Sequence, residues 1–280
     1  MNNSTFLVLG ANGKTGSRIA QRLTEQGRSV RRGSRQATPA FDWNGPSGWS
    51  AALDGVSAAY ICYVPDLAID GAANSIRDFV EQAVAHGLKR LVLLSGRGEE
   101  EAQRCERILQ AADVEWTVLR ASWFNQNFSE GAFLEMVLAG EIALPAGQIG
   151  EPFIDVDDIA DVAVAALTEE GHAGQIYELT GPRLLTFAEV TEEIAKGVGR
   201  EIEYIQLPMD VFEQGVAEAN LPADIAWLTV YLFTTVFDGR NASVGDGIQR
   251  ALGREPRDFS EYVRRTAEAG MWEKQQSEVR

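Results

Sequence analysis

Gly10, Gly13 and Gly16 recur three apart within FLVLGANGKTGSRIA, residues Phe6 to Ala20. Glycines so placed make a tight turn and let a backbone come close to a pyrophosphate. The chemistry they suggest is the holding of a dinucleotide. The G-x-x-G-x-x-G spacing is wider than the G-x-G-x-x-G fingerprint, so context carries the reading. That context is a short apolar run, Phe6-Leu7-Val8-Leu9, on one side, and Ile19 and Leu23 at helical spacing on the other. A strand, a turn and a helix N-terminus follow, and the helix offers N–H groups and a positive dipole end to phosphate. Asn12, Lys14 and Thr15 complete the expected phosphate-binding turn.

The next residues with chemistry lie in RSVRRGSRQ. Arg31, Arg32, Ser34 and Arg35 sit at the end of a second strand-like run, and no carboxylate comes before Asp42. An acidic residue at that strand end favours NAD, and basic residues favour the 2′-phosphate of NADP. Arg35 is the first choice for the phosphate, with Ser34 as a hydroxyl donor, because guanidinium grips phosphate bidentately. NADP is therefore the expected cofactor. A solvated basic edge is the plainer alternative.

Ligands of open α/β sheets bind outside the carboxyl ends of the strands. Tyr63-Val64-Pro65-Asp66 ends one run, where the backbone could pass a nicotinamide ribose and Asp66 could face a cation or cap a helix. Ser95 ends the next, with Arg97 two residues on. Ser95 lacks a partnered base and is expected to position nicotinamide or substrate, not to attack it. In RASWFNQNF, Trp123, Phe124 and Asn125 suit a planar substrate, or equally seal an interface. Asp155, Asp157 and Asp158 read as the first turn of a helix. Two histidines and two cysteines give no metal-ligand cluster.

These residues need a scaffold. Strand-like runs at Phe6–Leu9, Ser29–Arg32, Ala58–Val64, Arg90–Ser95, Trp116–Arg120 and Gln175–Thr180 alternate with helical patterns near 16–26, 72–86 and 99–112. Such alternation predicts βαβ units and a parallel sheet. The expected fold is α/β, a Rossmann-type doubly wound sheet with a smaller, mainly helical C-terminal lobe. Residues 1–150 would form the nucleotide domain, with 156–182 returning to it, and 183–280 the lobe. Thr186 and Glu189 predict a capping box, with the helix closing at Gly197 or Gly199. Beyond about Gln206 the chain reads as aromatic-rich helices broken at Pro222 and ended at Gly239.

The chain has 280 residues, 45% hydrophobic and 24% charged, with a formal net charge of −16. That charge opposes direct binding to nucleic acid or to anionic membranes. No apolar stretch approaches a membrane span, and MNNSTF lacks the order of a signal peptide, so a cytoplasmic location is expected. The expected partner is a small-molecule substrate. Oligomeric state is left open, a homodimer among the options.

LGANGKTG, the basic strand end, FDW at Phe41–Trp43, YVPD, VLLSG and VEWTVLRASWFNQNF together resemble the NmrA-like atypical short-chain dehydrogenase/reductase family. GEPFIDVDDIADVAVAAL and LTFAEVTEEI carry the resemblance to about residue 205. Within the family, FDW followed by GWSAALDG is similar to the ergot-alkaloid reductases of the festuclavine dehydrogenase type. The resemblance implies a Rossmann domain with a C-terminal substrate lobe.

Classical members of that superfamily protonate the substrate oxygen with a Tyr-x-x-x-Lys pair. Here no lysine follows a tyrosine by four, and the helix that should carry the pair reads EEEAQRCERILQ. Three readings survive. An NADPH-dependent reductase would pass hydride to an imine, an iminium or a conjugated carbonyl, acceptors with little need of that acid. A quinone reductase would leave protonation to solvent. A regulatory protein of the NmrA type would sense NADP(H) without turnover.

Overall fold

The computed structural model describes residues 4–273. They form two compact units, one made of the chain through Ala121 with Val156–Thr180 and Gly245–Glu255, the other of the intervening stretches and the chain from Pro256.

The chain begins with β1 (Thr5–Leu9), α1 (Lys14–Glu25), β2 (Ser29–Gly33), α2 (Trp49–Leu53), β3 (Val56–Ile61), α3 (Ala72–Ala85), β4 (Arg90–Gly96), α4 (Glu100–Gln110) and β5 (Glu115–Ala121). After α5 (Leu134–Ala139) and β6 (Glu141–Leu144) come α6 (Val156–Thr168) and β7 (Gln175–Leu179). Six of these strands form one parallel sheet in the order β2-β1-β3-β4-β5-β7. The order reverses between β1 and β3, which makes their carboxyl ends the topological switch point. Alternate strand residues Leu7, Leu9, Ala59, Ile61, Leu91 and Leu93 join the apolar faces of α2, α3 and α4 in one core. Helices α1 and α6 pack together, as do α3 and α4. Leu23 is buried, and Gly27 at φ 72° ends α1 as the sequence suggests.

The second unit continues with α7 (Phe187–Val198), β8 (Glu203–Gln206), α8 (Met209–Glu218), α9 (Ala223–Tyr231), α10 (Gly247–Leu252), which belongs to the first unit, and α11 (Phe259–Glu268). The Thr186 hydroxyl accepts from the Glu189 N–H and the Thr186 N–H donates to the Glu189 carboxylate, the expected capping box. The helix closes at Gly199 (φ 67°), with Gly197 inside its last turn. Phe128, Phe153, Phe187, Phe233 and Phe259 lie in this unit's core.

Three expectations are corrected. The run Ala58–Val64 leaves the sheet after Ile61, where its pairing with β4 ends, and Cys62–Val64 belong to the connection that carries Pro65. The first unit ends at Ala121, not near 150, since Ser122–Asp155 packs with the second unit's core and supplies β6. The C-terminal lobe is mainly helical, as expected, but residues 183–280 do not all stay in it. It holds a parallel β6–β8 pair, and it returns Gly245–Glu255, with α10, to the first unit. There Arg254 pairs with Asp158 and Asp161 at 2.7 Å each, and Arg250 reaches the Gln175 side chain at 2.7 Å.

Candidate active site

The turn after β1 is built by its glycines. Gly10 has φ 66°, and its carbonyl accepts the Gly13 N–H at 2.8 Å. A Cβ on Gly16 would stand 2.3 Å from the Gly10 carbonyl oxygen, so the start of α1 lies directly on the turn. Gly13 differs. Its φ of −87° is ordinary, and an added Cβ would meet only the Gly10 oxygen, at 3.3 Å. Asn12 and Gly13 are exposed, and α1 has no side-chain cap at its N-terminus. First-turn N–H groups of a helix have no carbonyl within it to bind. The turn thus fits a pyrophosphate. Thr15 needs a correction: its buried hydroxyl accepts from Tyr60 at 2.9 Å, so its side chain serves the core and only its backbone faces the turn.

At the end of β2 the arginines divide. Arg31 donates to the carbonyls of Ala52 (2.8 Å) and Asp54 (2.6 Å), tying down the C-terminus of α2. Arg32 is exposed, with one long contact to the Ala11 carbonyl at 3.5 Å. Arg35 is exposed and has no partner among the described residues. The Ser34 carbonyl accepts from Phe41 at 2.9 Å, which fixes the loop. FDW is core: Phe41 stacks on Trp49 at 5.5 Å, and the Trp43 indole donates to the Cys62 carbonyl at 3.2 Å. Tyr63 tilts against Trp43 at 4.9 Å, half-buried, and Pro65 beside it is exposed.

The carboxyl ends of β3 and β4 hold two carboxyls. Asp66 accepts the Ala68 N–H at 2.8 Å, a local turn contact. Its side chain also bonds Glu99, the residue before α4. Glu99 does not cap that helix. It folds back over Gly96, where a Cβ would stand 2.2 Å from its Oε1, and it is 6% exposed. Burial pushes both carboxyls up, and the neighbouring charge of Asp66 pushes Glu99 further, well above the usual range. Burial, and then Asp66, also raise the Cys62 thiol to about 11, which leaves it an inert thiol.

Beside them Ser95, Arg120 and Glu178 are register neighbours across β4, β5 and β7. Ser95 is turned inward: its hydroxyl donates to Glu106 Oε1 at 2.6 Å and it is 3% exposed. The expected role beside nicotinamide is thus replaced by a structural one. Glu106, 1% exposed, is gripped by Arg120 (Nε to Oε1, 2.8 Å). Arg120 reaches Glu178 at 3.0 Å and Arg97 reaches it at 2.7 Å. Arg97 is therefore ion-paired, not a loose pocket cation. Its chain neighbour Gly96 matters more.

In the second unit, Trp123 meets Phe133, Phe233 and Phe237 at 6.1, 5.1 and 5.5 Å and serves the aromatic core. Phe124 bridges to Ile154. Asn125 donates its backbone N–H to Ile154 at 2.8 Å, and neither atom of its fully buried amide has a hydrogen-bond partner. Asp155 pairs with Arg265 and accepts from Gln126, while Asp157 and Asp158 open α6 and pair with Arg22 and Arg254. Sequence reasoning missed Glu99, Glu106, Arg120 and Glu178. The available signal was an arginine and a glutamate inside otherwise apolar strands, TVLRA and YEL.

A glycine turn at the switch point, an uncapped helix and a free arginine at the next strand end define a dinucleotide-binding protein of the Rossmann class. Family models agree: an NAD(P)H-binding model matches residues 10–170 and the NmrA-like family model residues 101–263. The chain is 32% identical to the uncharacterised oxidoreductase YesF of Bacillus subtilis, covering 97% of this chain and 98% of that one. It is 31% identical to agroclavine dehydrogenase of Claviceps fusiformis, over 92% and 96% of the two chains. The triphenylmethane reductase of Citrobacter sp., solved with NADP(H), shares the fold at TM-score 0.74 and 20% identity, over 94% and 99%. The chain belongs to the NmrA-like family and is an NAD(P)-dependent oxidoreductase. No helix among the described residues is long and apolar enough to cross a membrane.

Proposed function

We propose that this protein uses NADPH to reduce a small cyclic imine or iminium, or a conjugated carbonyl. The observation that carries the reading is α4. It contains neither Tyr nor Lys, and its inward residues are Ala102, Cys105, Glu106 and Leu109. The one polar group among them that reaches the strand ends, Glu106, is closed in its pair with Arg120. A carbonyl reduced to an alcohol needs a strong acid at its oxygen as hydride arrives, whereas an iminium carbon needs none. The 31% identity to agroclavine dehydrogenase supports a dehydrogenase acting on a small organic molecule.

NADPH, when bound, supplies the hydride. The chain's part is binding and orientation. The turn from Gly10 to Gly16, with Asn12 and the Lys14, Thr15 and Gly16 backbone, would hold the pyrophosphate. Arg35, with Arg32 beside it, would take the 2′-phosphate and Ser34 its hydroxyl contact. Tyr63 and Pro65 would border the nicotinamide half at the end of β3.

The test is NADPH oxidation against a panel of cyclic imines, N-alkyl iminium salts, quinones and enones. Turnover of the nitrogen acceptors above that of quinones is expected. Oxidation with quinones alone would replace the reading with a quinone reductase, and oxidation with no acceptor would end it.

A further inference from the structure

Two acidic side chains at the switch point have no work in binding a dinucleotide. Asp66 follows β3 and Glu99 follows β4, adjacent strands whose carboxyl ends border the crevice next to the glycine turn. They bond each other directly, an arrangement two carboxylates adopt only by sharing a proton. The geometry is enforced. Glu99 can fold over position 96 only because that residue is glycine. Folding back also forfeits a cap for α4, whose N-terminus has no side-chain hydrogen bond. One Glu99 oxygen, Oε2, is buried without any hydrogen-bond partner, which costs free energy unless something else engages it.

We propose that the Asp66–Glu99 pair is the proton donor to a neutral imine, in the role that a tyrosine and lysine serve in other short-chain reductases. The inference rests on the reductase reading above. A neutral imine is a poor hydride acceptor and its protonated form a good one. The shared proton moves from the pair to the imine nitrogen. The C=N carbon then gains hydride from the cofactor, its π electrons become the nitrogen lone pair, and a secondary amine results. The pair, left with two negative charges beside a cation, recovers its proton from water. Two electrons and two protons are accounted for in the product.

The groups facing the pair are few. Glu106 on α4 adds negative charge to Glu99, Cys62 at the end of β3 sits by Asp66, and Lys14 on α1 faces Cys62. Both carboxyls are pushed upward by burial, which favours the form that holds the proton.

The experiment compares a neutral cyclic imine with its N-methyl iminium salt, in wild type and in Glu99→Gln. Glutamine keeps the shape and cannot release the proton. General acid catalysis typically contributes about 10²–10⁴-fold. The loss on the neutral imine should therefore exceed the loss on the iminium salt by at least about tenfold. The second readout needs no cofactor: an infrared pH titration of the apoprotein should show a protonated-carboxyl band that persists above the ordinary carboxylate range and that Glu99→Gln removes. Equal losses on both acceptors, or no such band, would overturn the proposal. If wild type reduces neither nitrogen acceptor, the reductase reading itself fails. If wild type reduces both and the losses are equal, only the proton donor fails.

Discussion

Two glycines three residues apart answer to different physics. Gly16 is excluded from bearing a side chain by the backbone oxygen 2.3 Å from its Cβ position, whereas a Cβ on Gly13 would stand 3.3 Å from that same oxygen, a contact that a small shift relieves. Gly16→Ala should therefore lower the melting temperature of the protein without nucleotide. Gly13→Ala should fold with a near-native melt and lose most of the stabilisation that NADPH confers, because only a binding-competent protein is stabilised by ligand. Equal melts with equal ligand response would refute the distinction. Arg35→Ala should weaken NADPH by ~2 kcal/mol, about thirtyfold, and leave NADH within about twofold, as titration of each cofactor would show. Equal losses would return Arg35 to the solvent. The basic edge was legible in the sequence as a cluster, but its division of labour was not. Nothing in RRGSR says that Arg31 turns to the Ala52 and Asp54 carbonyls while Arg35 stays open.

Elements determine which polar groups meet. Ser95, Arg120 and Glu178 are far apart in sequence and adjacent only because β4, β5 and β7 align in one register. Their link to α4 is Glu106, nearly inaccessible to water. Removing one partner of a buried pair costs ~3–5 kcal/mol, since the other charge is left uncompensated. Glu106→Ala should thus destabilise the protein by about that much in urea unfolding, with Arg120 keeping only Glu178. A change under 1 kcal/mol would mean that Glu178 and water satisfy Arg120 alone. The strands and the first helices were readable because apolar runs and glycine stops are local signals. The capping box at Thr186 was readable for the same reason. The short β6–β8 pair was not, since four-residue strands without a turn between them leave no local pattern. Nor was the Asp66–Glu99 contact, which depends on how Gly96 lets a side chain turn back.

For the molecule as a whole, the raised carboxyls link folding to pH. Asp66 and Glu99 bind protons more tightly in the folded state, so the stability they contribute is complete below the ordinary carboxylate range. It is lost as pH rises through their elevated folded-state values. Glu99→Gln should accordingly melt progressively higher relative to wild type as pH climbs from 5 to 9. A gap that stays flat or narrows would mean the carboxyls are not protonated in the fold. The return of Gly245–Glu255 has a consequence of another kind. The nucleotide-binding unit is discontinuous along the chain, with α10 and Arg254 fastened to β7 and α6 only after the whole stretch from Gly181 to Val244 has passed. A fragment ending at Thr180 should lack a cooperative melt by circular dichroism, and a sharp transition in it would disprove that dependence. On the ribosome, β1 emerges long before α10, the last piece of its own unit. The nascent chain must wait, with its sheet edge and the acidic face of α6 uncovered, until residue 255 has left the exit tunnel.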